Sequence, residues 1–186
     1  LSGKADILRY EILFNQGGIY IDADAKCLNP LDDFFLENQC FSCWENELRR
    51  PGLIANGFIG TVINNPLLAL LIEGISQKDP ANLANSQLSP AWETVGPKYF
   101  TEIINTNPNS EIKIYPSHFF IPQHFTGEKY TGTDKIYADH VWGSTKTNDG
   151  KLGLDYEILS KNVPANFPRP KGKTSSKLKI KQRFKS

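Results

Sequence analysis

The hydrophobic period of the chain changes at a single pair of glycines. From Ala5 to Gln16 the pattern is helical, with Ala5, Leu8 and Ile12 on one stripe, and Gly17-Gly18 stops it. Immediately afterwards Ile19-Tyr20-Ile21-Asp22 is β-branched and aromatic and reads as a short strand. A helix joined to a strand by two residues buries its apolar surface best by layering against a sheet, so the expected architecture is α/β. The pattern downstream agrees. Phe41 to Trp44, Gly57 to Ile63 and Glu111 to Tyr115 read as strands. Leu31 to Leu36, Pro66 to Ser76 and Pro97 to Asn105 read as helices, the last two with Pro at the first position. Phe125 to Asp134 is a Gly/Thr-rich loop, and Tyr137 to Trp142 is a last apolar segment carrying His140.

Among the 186 residues, 39% are apolar and 22% charged, as in a globular protein. The longest pure apolar run, Leu67 to Ile72, is far shorter than the roughly 18 residues of a membrane span. The net charge of +1 is unevenly spread. Residues from Arg169 to Ser186 hold eight Lys or Arg and no acid, so residues 1–168 carry 13 bases against 20 acids, a net of −7. Such a body is a poor nucleic-acid binder, because phosphate neutralisation needs a basic surface. Residues 1–160 are expected to be the folded domain, and 161–186 a Pro/Lys-rich basic tail able to touch an anionic membrane surface. Cys27, Cys40 and Cys43 are too few and too isolated for a disulfide framework or a four-ligand zinc site, and read as buried or half-buried thiols. The opening Leu-Ser-Gly-Lys-Ala-Asp has no secretory pattern and no glycosylation sequon occurs, which reads as cytoplasmic.

Asp22-Ala-Asp24 is the pattern with chemical content. Carboxylates at i and i+2 of an extended segment point the same way and can reach one divalent cation, or a cation and a sugar. A calcium loop starting at Asp22 fails, since Lys26, Cys27 and Asp33 stand where it needs an acid, a Gly and an acid. A haloacid-dehalogenase-like phosphatase is the sharper rival, although Lys26 replaces its Thr or Val and a helix precedes the motif. Asp6 and Arg9, three apart on one helix face, can reach a common ligand; the plainer reading is a surface ion pair.

The string Ala5-Asp6-Ile7-Leu8-Arg9-Tyr10, then Gly17-Gly18-Ile19-Tyr20-Ile21-Asp22-Ala23-Asp24 and Leu28-Asn29-Pro30-Leu31, closely resembles the sugar-binding region of glycosyltransferase family 32. It is similar also to the glucosylating domain of large clostridial toxins. Weaker echoes lie at Asn56-Gly57-Phe58-Ile59-Gly60, Gly96-Pro97, Tyr115-Pro116-Ser117 and His140-Val-Trp142-Gly-Ser144. The resemblance implies a GT-A-like nucleotide-diphospho-sugar transferase fold. Asp24 would bind Mn²⁺ or Mg²⁺, Asp22 would bridge the donor and the ion, Asp6 would hold donor-sugar hydroxyls and Arg9 would stabilise the sugar or diphosphate. It implies a further metal contact from His140 or Ser144, with Asp139 and Thr145 departing from the family pattern; a core histidine is the alternative for His140. Asn56 and Glu45 are candidate donor or acceptor contacts. Tyr10, Tyr20, His118 and His124 read as packing or surface residues.

The expected activity is that of a metal-dependent, retaining glycosyltransferase moving a hexose or N-acetylhexosamine from a UDP- or GDP-sugar to a glycan or lipid-linked acceptor, as in polysaccharide biosynthesis. The motif helix stands at the start of a chain with no Met, so the N-terminal nucleotide-binding βαβ unit of such enzymes is expected outside it. A truncated, non-catalytic sugar- or metal-binding remnant is the alternative.

Overall fold

The structure, a computed structural model, describes residues 2–80 and 90–142. Helix α1 (Ser2–Gln16) leads into β1 (Gly18–Ile21) and β2 (Ala25–Cys27), and a 3₁₀ turn (Asp33–Phe35) precedes β3 (Cys40–Asn46). Strands β4 (Arg50–Ile54) and β5 (Phe58–Thr61) are followed by α2 (Pro66–Ser76), the short α3 (Ala91–Thr94) and α4 (Pro97–Thr106). The described part ends with β6 (Lys113–Tyr115), a second 3₁₀ turn (Ser117–Phe119) and β7 (Ala138–His140). The mixed α/β class expected from the sequence is observed.

In the main sheet β5 lies between β1 and β3, antiparallel to both, while β4 pairs with the C-terminal half of β3 and β6 runs parallel to its N-terminal half. Side-chain alternation sends the two faces into different cores. Cys40, Trp44, Ile59 and Tyr20 face the layer of α1, α2 and α4, with Leu68, Leu71 and Phe100 at its centre. Phe41, Cys43, Phe58 and Ile21 face an aromatic cluster around the fully buried Phe35. There Phe58 stacks on Phe120 at 3.5 Å, and Phe35 meets Tyr115 and Tyr137 edge-on.

Several expectations need correction. The Ala5, Leu8 and Ile12 stripe of α1 faces outward, with Leu8 and Ile12 exposed, while Asp6, Arg9, Tyr10 and Leu13 are buried. The expected Leu31–Leu36 helix is only the 3₁₀ turn, and Cys27 is exposed, although Cys40 and Cys43 are buried. Strands β2 and β4 and helix α3 were not foreseen. No helix among the described residues is long and apolar enough to cross a membrane. The tail expected at 161–186 and its boundary at 160 lie outside the described residues.

Candidate functional site

Two local devices aim the carboxylates. At the end of α1, Gly17 sits at φ 63° with its N–H bonded to the Leu13 carbonyl, and a Cβ there would lie 2.7 Å from the Ile63 nitrogen. Only glycine fits both the left-handed conformation and that approach. After β1 the Asp-x-Asp segment is not extended, contrary to the expectation. The Ala25 N–H bonds back to the Asp22 carbonyl at 3.0 Å, so Asp22 to Ala25 form a tight turn. Pairing of β2 with β7 then sets Ala25 opposite His140, and the Val141 N–H donates to the Asp24 carbonyl.

The turn and the β2–β7 pairing bring three ligand-type side chains together. His140 Nε2 lies 2.9 Å from Asp24 Oδ1 and 3.7 Å from Asp22 Oδ2, and one ligand atom from each residue falls within a 4.8 Å group. All three are half-buried. The two carboxylates are oxygen donors of the kind that Mn²⁺ and Mg²⁺ take, and the imidazole nitrogen favours Mn²⁺ of the two. The other expected ligand, Ser144, lies outside the described residues.

Beneath this group Arg9 joins α1 to the turn. Its Nη2 donates to Asp22 Oδ1 at 2.8 Å and to the Tyr20 hydroxyl at 3.1 Å, and Nη1 lies 3.1 Å from Asp6 Oδ1 and donates to the Asn56 carbonyl. Among the described residues its buried Nε has no hydrogen-bond partner. Asn56 Nδ2 in turn donates to Asp6 Oδ1 and the Tyr10 hydroxyl. Asp6 and Arg9 are thus a buried pair, not the surface pair the plainer reading allowed. Burial, aided by the charge of Asp22, holds the Asp6 carboxyl above its ordinary pKa despite Arg9 and Asn56. For Arg9 burial works against the charge, but Asp22 and Asp6 outweigh it and raise its pKa.

Asn56 reaches the site because the pairing along β3 is interrupted between β4 and β5. Between Ile54 of β4, opposite Trp44, and Gly60 of β5, opposite Phe41, the chain bulges away from β3, and Phe58 pairs with Ile21 of β1. Ser42 Oγ lies 2.6 and 2.9 Å from the Ala55 and Phe58 carbonyls and closes the gap. The Gly57 carbonyl accepts from the Asp22 N–H, and a Cβ on Gly57 would lie 2.5 Å from Asp22 Oδ2. Tyr20, read from sequence as packing, bonds Arg9 and Asp22. Its position two residues before Asp22 on a strand was the available signal. Glu45 and His124 form a separate buried pair, 3.2 Å apart.

Residues 2–42 match the family model described as the glycosyltransferase sugar-binding region containing DXD motif. The chain is related to the DXD-containing glycosyltransferases. It is 31% identical over 147 residues to an uncharacterised glycosyltransferase of Acanthamoeba polyphaga mimivirus, covering 74% of this chain and 55% of that protein. It is 28% identical over 107 residues to inositol phosphoceramide mannosyltransferase 2 of Schizosaccharomyces pombe, covering 58% of this chain and 26% of that one. The chain therefore spans about half of the first relative and a quarter of the second. Similar solved structures are the PaToxG glycosyltransferase, with a TM-score of 0.41 at 21% identity over 57% of this chain and 35% of that one. Another is the ligand-free glycosyltransferase domain of the YGT toxin, with a TM-score of 0.44 at 12% identity over 62% of this chain and 45% of that one.

Proposed function

We propose that this chain carries the donor site of a metal-dependent glycosyltransferase, transferring a hexose or N-acetylhexosamine from a UDP- or GDP-sugar to a glycan or lipid-linked acceptor. The supporting observation is the convergence of Asp22, Asp24 and His140 within 4.8 Å, directly above the buried Asp6–Arg9–Asn56 network. In this reading Asp24, Asp22 and His140 hold Mn²⁺ or Mg²⁺, with Ser144 a further candidate ligand. The ion, when bound, supplies Lewis-acid screening of the charge that grows on the leaving diphosphate.

The chain's own residues supply orientation. Asp6 and Asp22 accept hydrogen bonds from donor hydroxyls, and Arg9 fixes the spacing of both carboxylates through its two Nη atoms. A retaining course follows from the family resemblance, and in that course no protein nucleophile is required. The β1–β2 turn stays put during the reaction because β7 and the Gly57 carbonyl both hold it.

The experiment is release of sugar from UDP-glucose, UDP-N-acetylglucosamine and GDP-mannose in the presence of Mn²⁺. Asp24→Ala is expected to lower the rate at least about 100-fold, the scale of losing an electrostatic contact to the leaving group. A variant as fast as the wild type would refute the reading.

A further inference from the structure

Two non-glycine residues among the described ones have a positive φ, Asn64 at 57° and Trp142 at 59°. Asparagine enters the left-handed region readily, whereas a bulky indole there is an outlier that its surroundings must hold. For Trp142 the holding contacts are made by its buried side chain. The Nε1–H donates to the Gln123 carbonyl at 2.8 Å, and the ring lies 5.1 Å from Phe125 and 5.2 Å from His124, the latter edge-on. These partners are fixed in turn. Residues 123–129 form a small hairpin, closed by the antiparallel Gln123–Lys129 bridge and by the His124 N–H donating to the Glu128 carbonyl. His124 is itself buried, with Nε2 at 3.2 Å from Glu45 Oε1 on β3.

The same indole meets His140, the two ring centroids 4.5 Å apart and the planes tilted by 44°. His140 has need of such a neighbour. Pairing of β7 with β2, and the Val141 N–H on the Asp24 carbonyl, fix its backbone. Neither sets the rotation about Cβ–Cγ, which is broad for an imidazole. Metal-ligating histidines usually have that rotation set by a hydrogen bond from the second ring nitrogen. Among the described residues His140 Nδ1 has no such partner, and its polar contacts run from Nε2 to Asp24 and Asp22. Nor does the main sheet position the ring. Strands β2 and β7 form a sheet of their own, whereas Asp22 is tied to the main sheet through the Gly57 carbonyl. The 3.7 Å approach of His140 Nε2 to Asp22 Oδ2 therefore spans two sheets. Trp142, through the Gln123 carbonyl and His124, links the His140 end of β7 to β3.

Resting on the donor-site reading above, we propose that Trp142 is a positioning residue for the metal site, its clamped indole holding the His140 imidazole in the orientation that presents Nε2 to Asp22 and Asp24. The role calls for a flat ring and not only for bulk. A flat face beside the imidazole restricts its rotation to a narrow arc, while an aliphatic side chain fills space and leaves the ring free to turn. Nε2 of a freely turning ring spends less time facing the carboxylates, so an ion there loses its nitrogen ligand first and keeps its oxygen ligands.

The test reads the ion directly and not turnover. Mn²⁺ alone is titrated into the wild-type chain and into Trp142→Leu, Trp142→Phe and His140→Ala, with free Mn²⁺ followed by its EPR signal. Pulsed EPR of the bound ion detects an imidazole nitrogen among its ligands. Trp142→Leu is expected to bind Mn²⁺ about tenfold more weakly and to lose the nitrogen signal, and Trp142→Phe to recover most of both. Added to His140→Ala, Trp142→Leu is expected to cause no further loss, because the two residues act through one ligand. Full affinity with an intact nitrogen signal in Trp142→Leu overturns the role and leaves the donor reading standing. A loss as large in the His140→Ala background also overturns it, marking Trp142 as a folding residue. A wild type that binds Mn²⁺ without a nitrogen signal overturns the role and leaves the carboxylates as ligands. Failure of the wild type to bind Mn²⁺ overturns the donor reading and the role with it. Nuclear Overhauser contacts between the His140 and Trp142 rings in the metal-free wild type need no variant to fold. Their presence supports the role and their absence overturns it.

Discussion

Arg9 stands between two carboxylates of different burial, and that difference divides their behaviour. Asp22 is partly open to solvent, whereas Asp6 sits deep against Asn56 and Tyr10, where water cannot stabilise its charge. Burial raises the Asp6 pKa above the unfolded value, so the folded state binds the proton more tightly than the unfolded one. Stability contributed by this group is therefore present at low pH and falls as pH rises from about 4 through the folded pKa. Asp6→Asn removes that slope and keeps an oxygen to accept from Asn56. It is expected to melt no lower than the wild type at pH 7, while nucleotide-sugar affinity falls about tenfold or more. Thermal melts from pH 4 to 7 alongside donor titration check both halves, and a lower melting temperature with unchanged donor affinity would mark Asp6 as a folding residue only.

At the scale of elements, the site depends on a turn, a bulge and a two-stranded pairing. Two glycine substitutions separate these from the core. In Gly57→Ala the new Cβ meets the Asp22 carboxylate, the end of a movable side chain, so Asp22 swings away from Asp24. Mn²⁺ affinity is expected to drop about tenfold with less than about 1 kcal/mol lost in stability. In Gly60→Ala the Cβ would lie 2.1 Å from the buried Phe41 ring, and overpacking of about 1–3 kcal/mol is expected. Urea unfolding and Mn²⁺ titration of both variants distinguish the two effects. Helix α2 was legible to the residue, because Pro66 and a dense apolar run mark it and the Asn65 side chain caps it. The face of α1 was not. Its inward side carries Asp6 and Arg9, whose burial depends on Asp22 and Asn56 far along the chain, so a hydrophobic stripe pointed the wrong way. Strand β4 was hidden by Pro51 and Gly52, the latter at φ 81°, residues that ordinarily end strands.

On the scale of the whole molecule, the candidate site gathers residues 6–24, Asn56, Gly57 and His140. The motif residues Asp6, Arg9, Asp22 and Asp24 were legible because their spacing is local. His140 was legible only as a candidate, since its approach to Asp24 needs the β2–β7 pairing across more than a hundred residues. Glu45 was a candidate contact from sequence, but its pairing with His124, 79 residues along the chain, had no such signal. A net charge of −7 over residues 1–168 bears on the proposed function, because the anionic donor proposed above would meet an acidic body. In the proposed reading a cation held by Asp22, Asp24 and His140 would offset that charge beside the donor diphosphate, so cation dependence is the central claim. The direct measurement is sugar release from the nucleotide sugars by the wild-type protein, first with Mn²⁺, then with excess EDTA, then with Mn²⁺ restored. Release that stops in EDTA and returns with Mn²⁺ is the predicted result, and release at an undiminished rate in EDTA would contradict the account.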